Sequence, residues 1–203
     1  GMVVFAHGSG SSRKSSRNRY VAGVLQEAGF STLLFDLLTA KEDLDYKVRF
    51  NIDLLTDRLV KVTDWLRQEP QTADQSIGYF GASTGAAATL KAAAGFGDLI
   101  RAVVSRGGRP DMAGSLLREV MVPTLLIVGG LDREVIRMNQ EAFALLRSAE
   151  KEIRIIPGAT HLFEEEGAIE KVCVVASNWF RFHMQLVLLS LPVLTLLLMV
   201  LPK

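Results

Sequence analysis

Cysteine is nearly absent, with Cys173 the only one in 203 residues. An internal disulfide and any cysteine-rich metal site are thereby excluded, and a reducing, cytoplasmic setting is the expectation. An excess of one charge is also missing. Lys plus Arg number 23 against 22 for Asp plus Glu, so no basic field that would gather phosphate backbones is implied, and a nucleic-acid partner is not expected. Histidine is scarce, at three, so any chemistry that needs an imidazole has few candidates. No internal repeat and no Pro- or Gly-rich linker divides the chain. The opening GMVVFAHGSG is too short an apolar run for a secretory leader and leads into a glycine turn rather than a cleavage site, so no signal peptide is expected.

What is present is enough apolar residue, 49% of the chain, for one full core. One globular domain is expected over residues 1–183, followed by a hydrophobic tail over 184–203. From Met184 to Pro202 the tail carries no charged residue. As a helix it would span about 28 Å, near the thickness of a bilayer's hydrocarbon core. Two readings stay open: a membrane anchor, which would leave the domain cytoplasmic because Arg181 precedes it, and an extension that is disordered or folds back onto apolar surface. Pro192 and the lack of an aromatic belt at the far end speak against the anchor.

Six short apolar runs read as strands: MVVFA (2–6), STLLFD (31–36), SIGYFG (76–81), RAVVS (101–105), PTLLIVG (123–129) and EIRIIPG (152–158). Their near-continuous apolarity suits strands covered on both faces, as in a parallel sheet. Between them lie stripes at helical spacing. Ile52, Leu55, Leu59, Val62 and Leu66 share a face before Glu69 and Pro70, and Tyr20, Val24, Leu25 and Ala28 precede Gly29. Val135, Met138, Ala142 and Leu146 form a looser stripe, and Ile169, Val172, Cys173, Ala176, Trp179 and Phe180 a cleaner one. Alternating strand and helix predicts an open α/β fold: a mostly parallel six-stranded sheet with helices on both faces and ligands beyond the strands' carboxyl ends.

Those ends deliver a pattern. The first strand runs into His7, Gly8, Ser9 and Gly10, the third into Gly81, Ala82, Ser83, Thr84 and Gly85, the fifth leads to Asp132, and the sixth to His161. A serine hydroxyl is a weak nucleophile at neutral pH unless a histidine accepts its proton, and that histidine needs an acid to fix its tautomer. The order Ser83, Asp132, His161 is one of the known triad orders. A Gly-x-Ser-x-Gly string alone is a common turn; here a strand precedes it and the alanine-rich 86–88 follows, so the expectation is a tight elbow that lifts Ser83 above the sheet. Asp132 has a plain alternative as the cap of the next helix. Asp36, which precedes the serine, reads as a structural or substrate-side acid. Acyl transfer also needs donors for the oxyanion, and the amide of Thr84 at the helix start is one candidate.

The segments VVFAHGSGSS, GYFGASTGAAA, AVVSRGGRPD, PTLLIVGGLD and IPGATHLFEE, in this order, resemble bacterial α/β-hydrolases of the dienelactone-hydrolase type, notably the branch sometimes fused to phosphoribosyltransferase domains. The resemblance runs from about Met2 to Phe182. It implies the α/β-hydrolase fold, ester-type hydrolysis without a cofactor or metal, and a triad on Ser83, Asp132 and His161. HGSG resembles the His-Gly turn that gives the second oxyanion amide, assigned here to Ser9. Two departures stand out. Dienelactone hydrolases proper use a cysteine nucleophile where this chain has Ser83, which favours general carboxylesterase chemistry, and the sequence opens on the His-Gly strand, so the antiparallel strands usual ahead of it are not expected here, an amino-terminally truncated sequence being the alternative.

The substrate is written less fully. About 17 residues, Arg106 to Val122, join the fourth and fifth strands, too few for a large lid, so an open site for small or protruding esters is expected. Arg106 and Arg109 lie near the same rim. They either hold an anionic substrate group or pair with Asp111 or Asp36 and stiffen the loop. SSRKSSRNR (11–19) reads as a solvated loop and helix start, with anion capture the alternative. A reading of another class also remains: a noncatalytic α/β module that binds an anionic ligand or serves a fused partner enzyme.

Overall fold

The computed structural model describes residues 1–184. The tail reading for 184–203 falls, beyond Met184, outside those residues. No helix among the described residues is long and apolar enough to cross a membrane.

Six strands form one sheet in the order β2-β1-β3-β4-β5-β6: β1 Met2–Ala6, β2 Ser31–Leu34, β3 Ile77–Ala82, β4 Ile100–Arg106, β5 Thr124–Gly129 and β6 Lys151–Ile156. Every pair is parallel. The central runs are apolar throughout because both faces are covered: β1, β3 and β5 are buried at every residue. The edge runs end sooner than the sequence suggests. β2 stops at Leu34 and β6 at Ile156, since each has a neighbour on one side only.

Helices α2 (Ile52–Gln68), α3 (Thr84–Phe96) and α4 (Arg133–Leu145) pack with Val4, Tyr79, Val103 and Leu126 on one face. Helices α1 (Ser16–Glu27) and α5 (Ala168–Met184) pack with Val3, Phe80, Val104 and Leu125 on the other. Local chemistry sets their ends. Ser15 caps α1 by accepting the Asn18 N–H at 3.3 Å, and Gly29, with φ of +90°, closes it as Phe30 N–H reaches back to the Leu25 carbonyl. Asn51 caps α2 through the Leu54 N–H at 3.1 Å, and Glu69 turns extended ahead of Pro70. The β4–β5 connection holds two short 3-10 turns within Pro110–Glu119, separated by a kink at Gly114, in place of a lid domain. Two further single 3-10 turns, Glu42–Leu44 and Val48–Phe50, lie between β2 and α2; their lack of apolar periodicity hid them in the sequence.

Helix α3 starts close against the sheet, for a steric reason. A Cβ on Gly85 would overlap the Ala6 carbonyl oxygen, and one on Gly81 would lie 2.5 Å from the Ala86 Cα. Ala86, Ala87 and Ala88 are fully buried in the contact that follows. This close approach fixes where the helix begins, and so where Ser83 stands.

Candidate active site

Ser83 joins β3 to α3 with φ of 50° and ψ of −119°, a backbone conformation that L-residues adopt rarely and only when the surroundings enforce it. The surroundings are visible. Its N–H donates to the Arg106 carbonyl at 3.3 Å, and its own carbonyl accepts the N–H groups of Ala86 and Arg109, both at 3.1 Å. The elbow is therefore held from its own helix and from the end of the neighbouring strand.

The acid and the histidine are brought together by backbone. A Cβ on Gly129 would lie 2.5 Å from the carbonyl oxygens of both Ala159 and Thr160. Gly130 N–H donates to Ile156 at 2.8 Å and Leu131 N–H to Ala159 at 2.9 Å, so the turn after β5 is stitched to the turn after β6. Across that seam His161 Nδ1 lies 2.7 Å from Asp132 Oδ2. Asp132 occupies the residue before α4 yet makes no side-chain capping bond, which answers the alternative raised for it. A carboxylate only accepts, so in the neutral imidazole Nδ1 is the nitrogen that carries the proton and Nε2 the one with the lone pair. Nε2 has no partner among the described residues, Ser83 included. His161 is 38% exposed and Asp132 17%, the arrangement of an imidazole open to a ligand over a sheltered acid.

The proposed oxyanion donors sit at the two expected turns. Thr84 is the first residue of α3, and Ser9 follows Gly8 beyond β1. A Cβ on Gly8 would come within 2.9 Å of the Ser83 Cβ, which places that turn against the elbow. Neither the Ser9 nor the Thr84 amide has an acceptor among the described residues. The Thr84 hydroxyl is buried without a partner as well.

The glycine turn has a support that sequence reasoning missed. His7, 6% exposed, accepts the Leu37 N–H on Nε2 at 3.0 Å and directs Nδ1 to the Gly8 carbonyl at 3.0 Å. An amide only donates and a carbonyl only accepts, so both ring nitrogens are committed and the imidazole braces the turn. Asn139 is a second such residue. Fully buried on α4, it donates to the Gly108 carbonyl at 3.0 Å and the Val135 carbonyl at 2.8 Å, tying the loop after β4 to that helix. Its polarity on an otherwise apolar stripe was the available signal.

The two rim arginines part ways. Arg109 makes a two-point pair with Asp111, Nε to Oδ1 at 2.9 Å and Nη2 to Oδ2 at 2.8 Å, and this pairing holds its guanidinium firmly charged. Arg106 is only 7% exposed, forms no ion pair among the described residues, and leaves Nε without an acceptor. Burial, with a smaller contribution from the nearby Arg17 cation, lowers its pKa to about 10. Asp36 accepts the Arg13 N–H at 2.7 Å and pairs with its guanidinium, so it braces the loop that leads into α1.

A parallel sheet of this order, with a serine elbow after its third strand and a histidine bonded to an acid at the fifth and sixth, has the architecture of an α/β hydrolase. Within that class the chain belongs to the dienelactone hydrolase family, whose model matches residues 1–182. A dienelactone hydrolase structure from Anabaena variabilis is 55% identical, with a TM-score of 0.88 over 91% of this chain and 87% of that one. A monoacylglycerol lipase of Paleococcus ferrophilus shares the fold at 18% identity, with a TM-score of 0.71 over 90% of this chain and 95% of that one. Among curated relatives, a Mycobacterium tuberculosis H37Rv protein provisionally named a phosphoribosyl transferase is 57% identical over 184 residues, 91% of this chain. The chain spans 41% of that protein's length.

Proposed function

We propose that the protein is a serine hydrolase that cleaves small carboxylic esters through an acyl-enzyme on Ser83. The observation that carries this reading is the 2.7 Å Asp132–His161 contact, made by an aspartate that forgoes capping its own helix. In the first step His161 Nε2 takes the Ser83 proton as Oγ attacks the ester carbonyl, and the carbonyl oxygen becomes an oxyanion facing the Ser9 and Thr84 amides. The imidazolium then returns the proton to the departing alkoxide, the carbon–oxygen bond breaks, and alcohol leaves. Water repeats the sequence on the acyl-enzyme, with His161 again the base, and releases the acid. The transfer needs the Ser83 hydroxyl within hydrogen-bond reach of His161 Nε2 in the substrate complex. The short 3-10 connection at Pro110–Glu119 supports small or protruding esters. With Asp111 occupying Arg109, that arginine is read as a loop brace and not as a substrate ligand. The test is turnover of a p-nitrophenyl ester that scales with protein concentration: Ser83→Ala or His161→Ala should lower kcat by several orders of magnitude. Turnover unchanged by Ser83→Ala would remove the reading.

The share of the M. tuberculosis relative that this chain spans, 41%, supports a second reading, in which the module serves a fused partner enzyme and has no turnover of its own. Ester hydrolysis that disappears with Ser83→Ala excludes it.

A further inference from the structure

The side chain of Arg106 is buried, and nothing in the steps above uses it. Its guanidinium carbon lies 5.7 Å from the centroid of the Phe163 ring. Phe163 is 1% exposed and holds a left-handed φ of 56°, a conformation that costs a bulky residue free energy unless its side chain is fixed elsewhere. It stands two residues after His161. The next residue, Glu164, pairs with Arg17 of α1. On the other side, the Arg106 carbonyl takes the Ser83 N–H at 3.3 Å, and a Cβ on Gly107 would lie 3.1 Å from the His161 carbonyl oxygen and 3.6 Å from its Cε1. Arg106 is thus bonded to the serine elbow through its backbone and set over the Phe163 ring of the histidine loop through its side chain.

A desolvated cation without an acid partner is unfavourable to keep, and replacing it by an apolar side chain of similar size is commonly neutral or stabilising. Its burial therefore points to a role other than stability. We propose that Arg106 is a positioning residue that sets the distance between the Ser83 elbow and the His161 loop by holding the Phe163 ring. This rests on the triad reading given above. A guanidinium suits the task, because its cation is attracted to the face of an aromatic ring within about 6 Å while its backbone stays in the strand.

The experiment compares Arg106→Met, Arg106→Lys and Phe163→Leu with the wild-type chain for ester kinetics, melting temperature and amide hydrogen exchange. Arg106→Met should lower kcat on the order of 100-fold, the scale of a small misplacement of reacting groups, with KM within about twofold. Its melting temperature should not fall, and exchange across residues 160–167 should quicken while the strands stay protected. Arg106→Lys should recover part of kcat, and Phe163→Leu should reproduce the loss with the arginine in place, so a single variant that fails to fold does not decide the matter. Unchanged kcat and exchange in folded Arg106→Met would overturn the proposal. A raised KM at unchanged kcat would overturn it too, in favour of a direct role in holding substrate. If the wild-type chain shows no ester turnover, the triad reading fails, and exchange in the 160–167 loop still decides whether Arg106 anchors it.

Discussion

Ser83 keeps a positive φ only because the residues around it have no room to let it relax, and the same crowding makes its neighbours intolerant of small changes. Gly8 is the sharpest case. Gly8→Ala would press a methyl group 2.9 Å from the Ser83 Cβ, so the turn that bears Ser9 must move. Losing one oxyanion donor commonly lowers kcat about 10²–10³-fold. We expect a loss of that size in Gly8→Ala with KM little changed, read by steady-state ester kinetics; full activity would show that Ser9 does not face the oxyanion. Asp132→Asn tests the other half of the site. The amide can still hydrogen-bond to His161, but with its NH₂ toward Nδ1 the imidazole shifts its proton to Nε2, where it can no longer act as base. The expected result is a fall in kcat of about 10⁴-fold with an unchanged circular-dichroism spectrum and melting curve. A variant that retains activity would assign Asp132 to structure alone.

At the scale of elements, α5 places the chain's one thiol where chemistry cannot use it. Cys173 is 3% exposed on the face that α5 turns to the sheet, and burial, with Glu170 adding a smaller push, raises its pKa to about 11. The thiolate is therefore scarce and sheltered in the folded state near pH 8. Native protein should fail to react with a disulfide reagent such as DTNB, and should release one equivalent on unfolding in guanidinium; rapid native reaction would contradict the packing of α5. How far such placements could be read in advance follows from what each element buries. Strands β1, β3 and β5 are covered on both sides, so their apolar runs agree with their extents to within one residue, and four of the five stripe residues of α2, Ile52, Leu55, Leu59 and Leu66, are buried, while Val62 is half-buried and Thr63 takes its place in the core. That Ser83, Asp132 and His161 would lie beyond the carboxyl ends of three strands was legible in the alternation of strand and helix. The bracing roles of His7 and Asn139 were not, since each depends on a backbone group 30 or 31 residues away in sequence. The split between Arg109 and Arg106 was equally hidden: one side chain has an aspartate two residues on, and the other lies over a ring from a distant loop.

For the molecule as a whole, the end of α5 sets how short the domain can be made. Met184 is 6% exposed, its carbonyl accepts the Ser76 hydroxyl at 3.1 Å, and a Cβ on Gly78 would collide with its sulfur. A chain ending at Met184 should keep its melting temperature and its esterase activity. Removing Met184 as well should reduce stability by about 2 kcal/mol or more, the cost of emptying a buried methionine site, measured by urea denaturation. A chain ending at Met184 that failed to fold would mean that residues beyond it complete the core. The central claim, a nucleophilic serine on the elbow, is tested most directly by treating the purified protein with a fluorophosphonate probe and locating the adduct by peptide mass spectrometry. Covalent labelling confined to Ser83, and absent in Ser83→Ala, is the predicted result; no adduct, or one that persists at equal yield in Ser83→Ala, would contradict it.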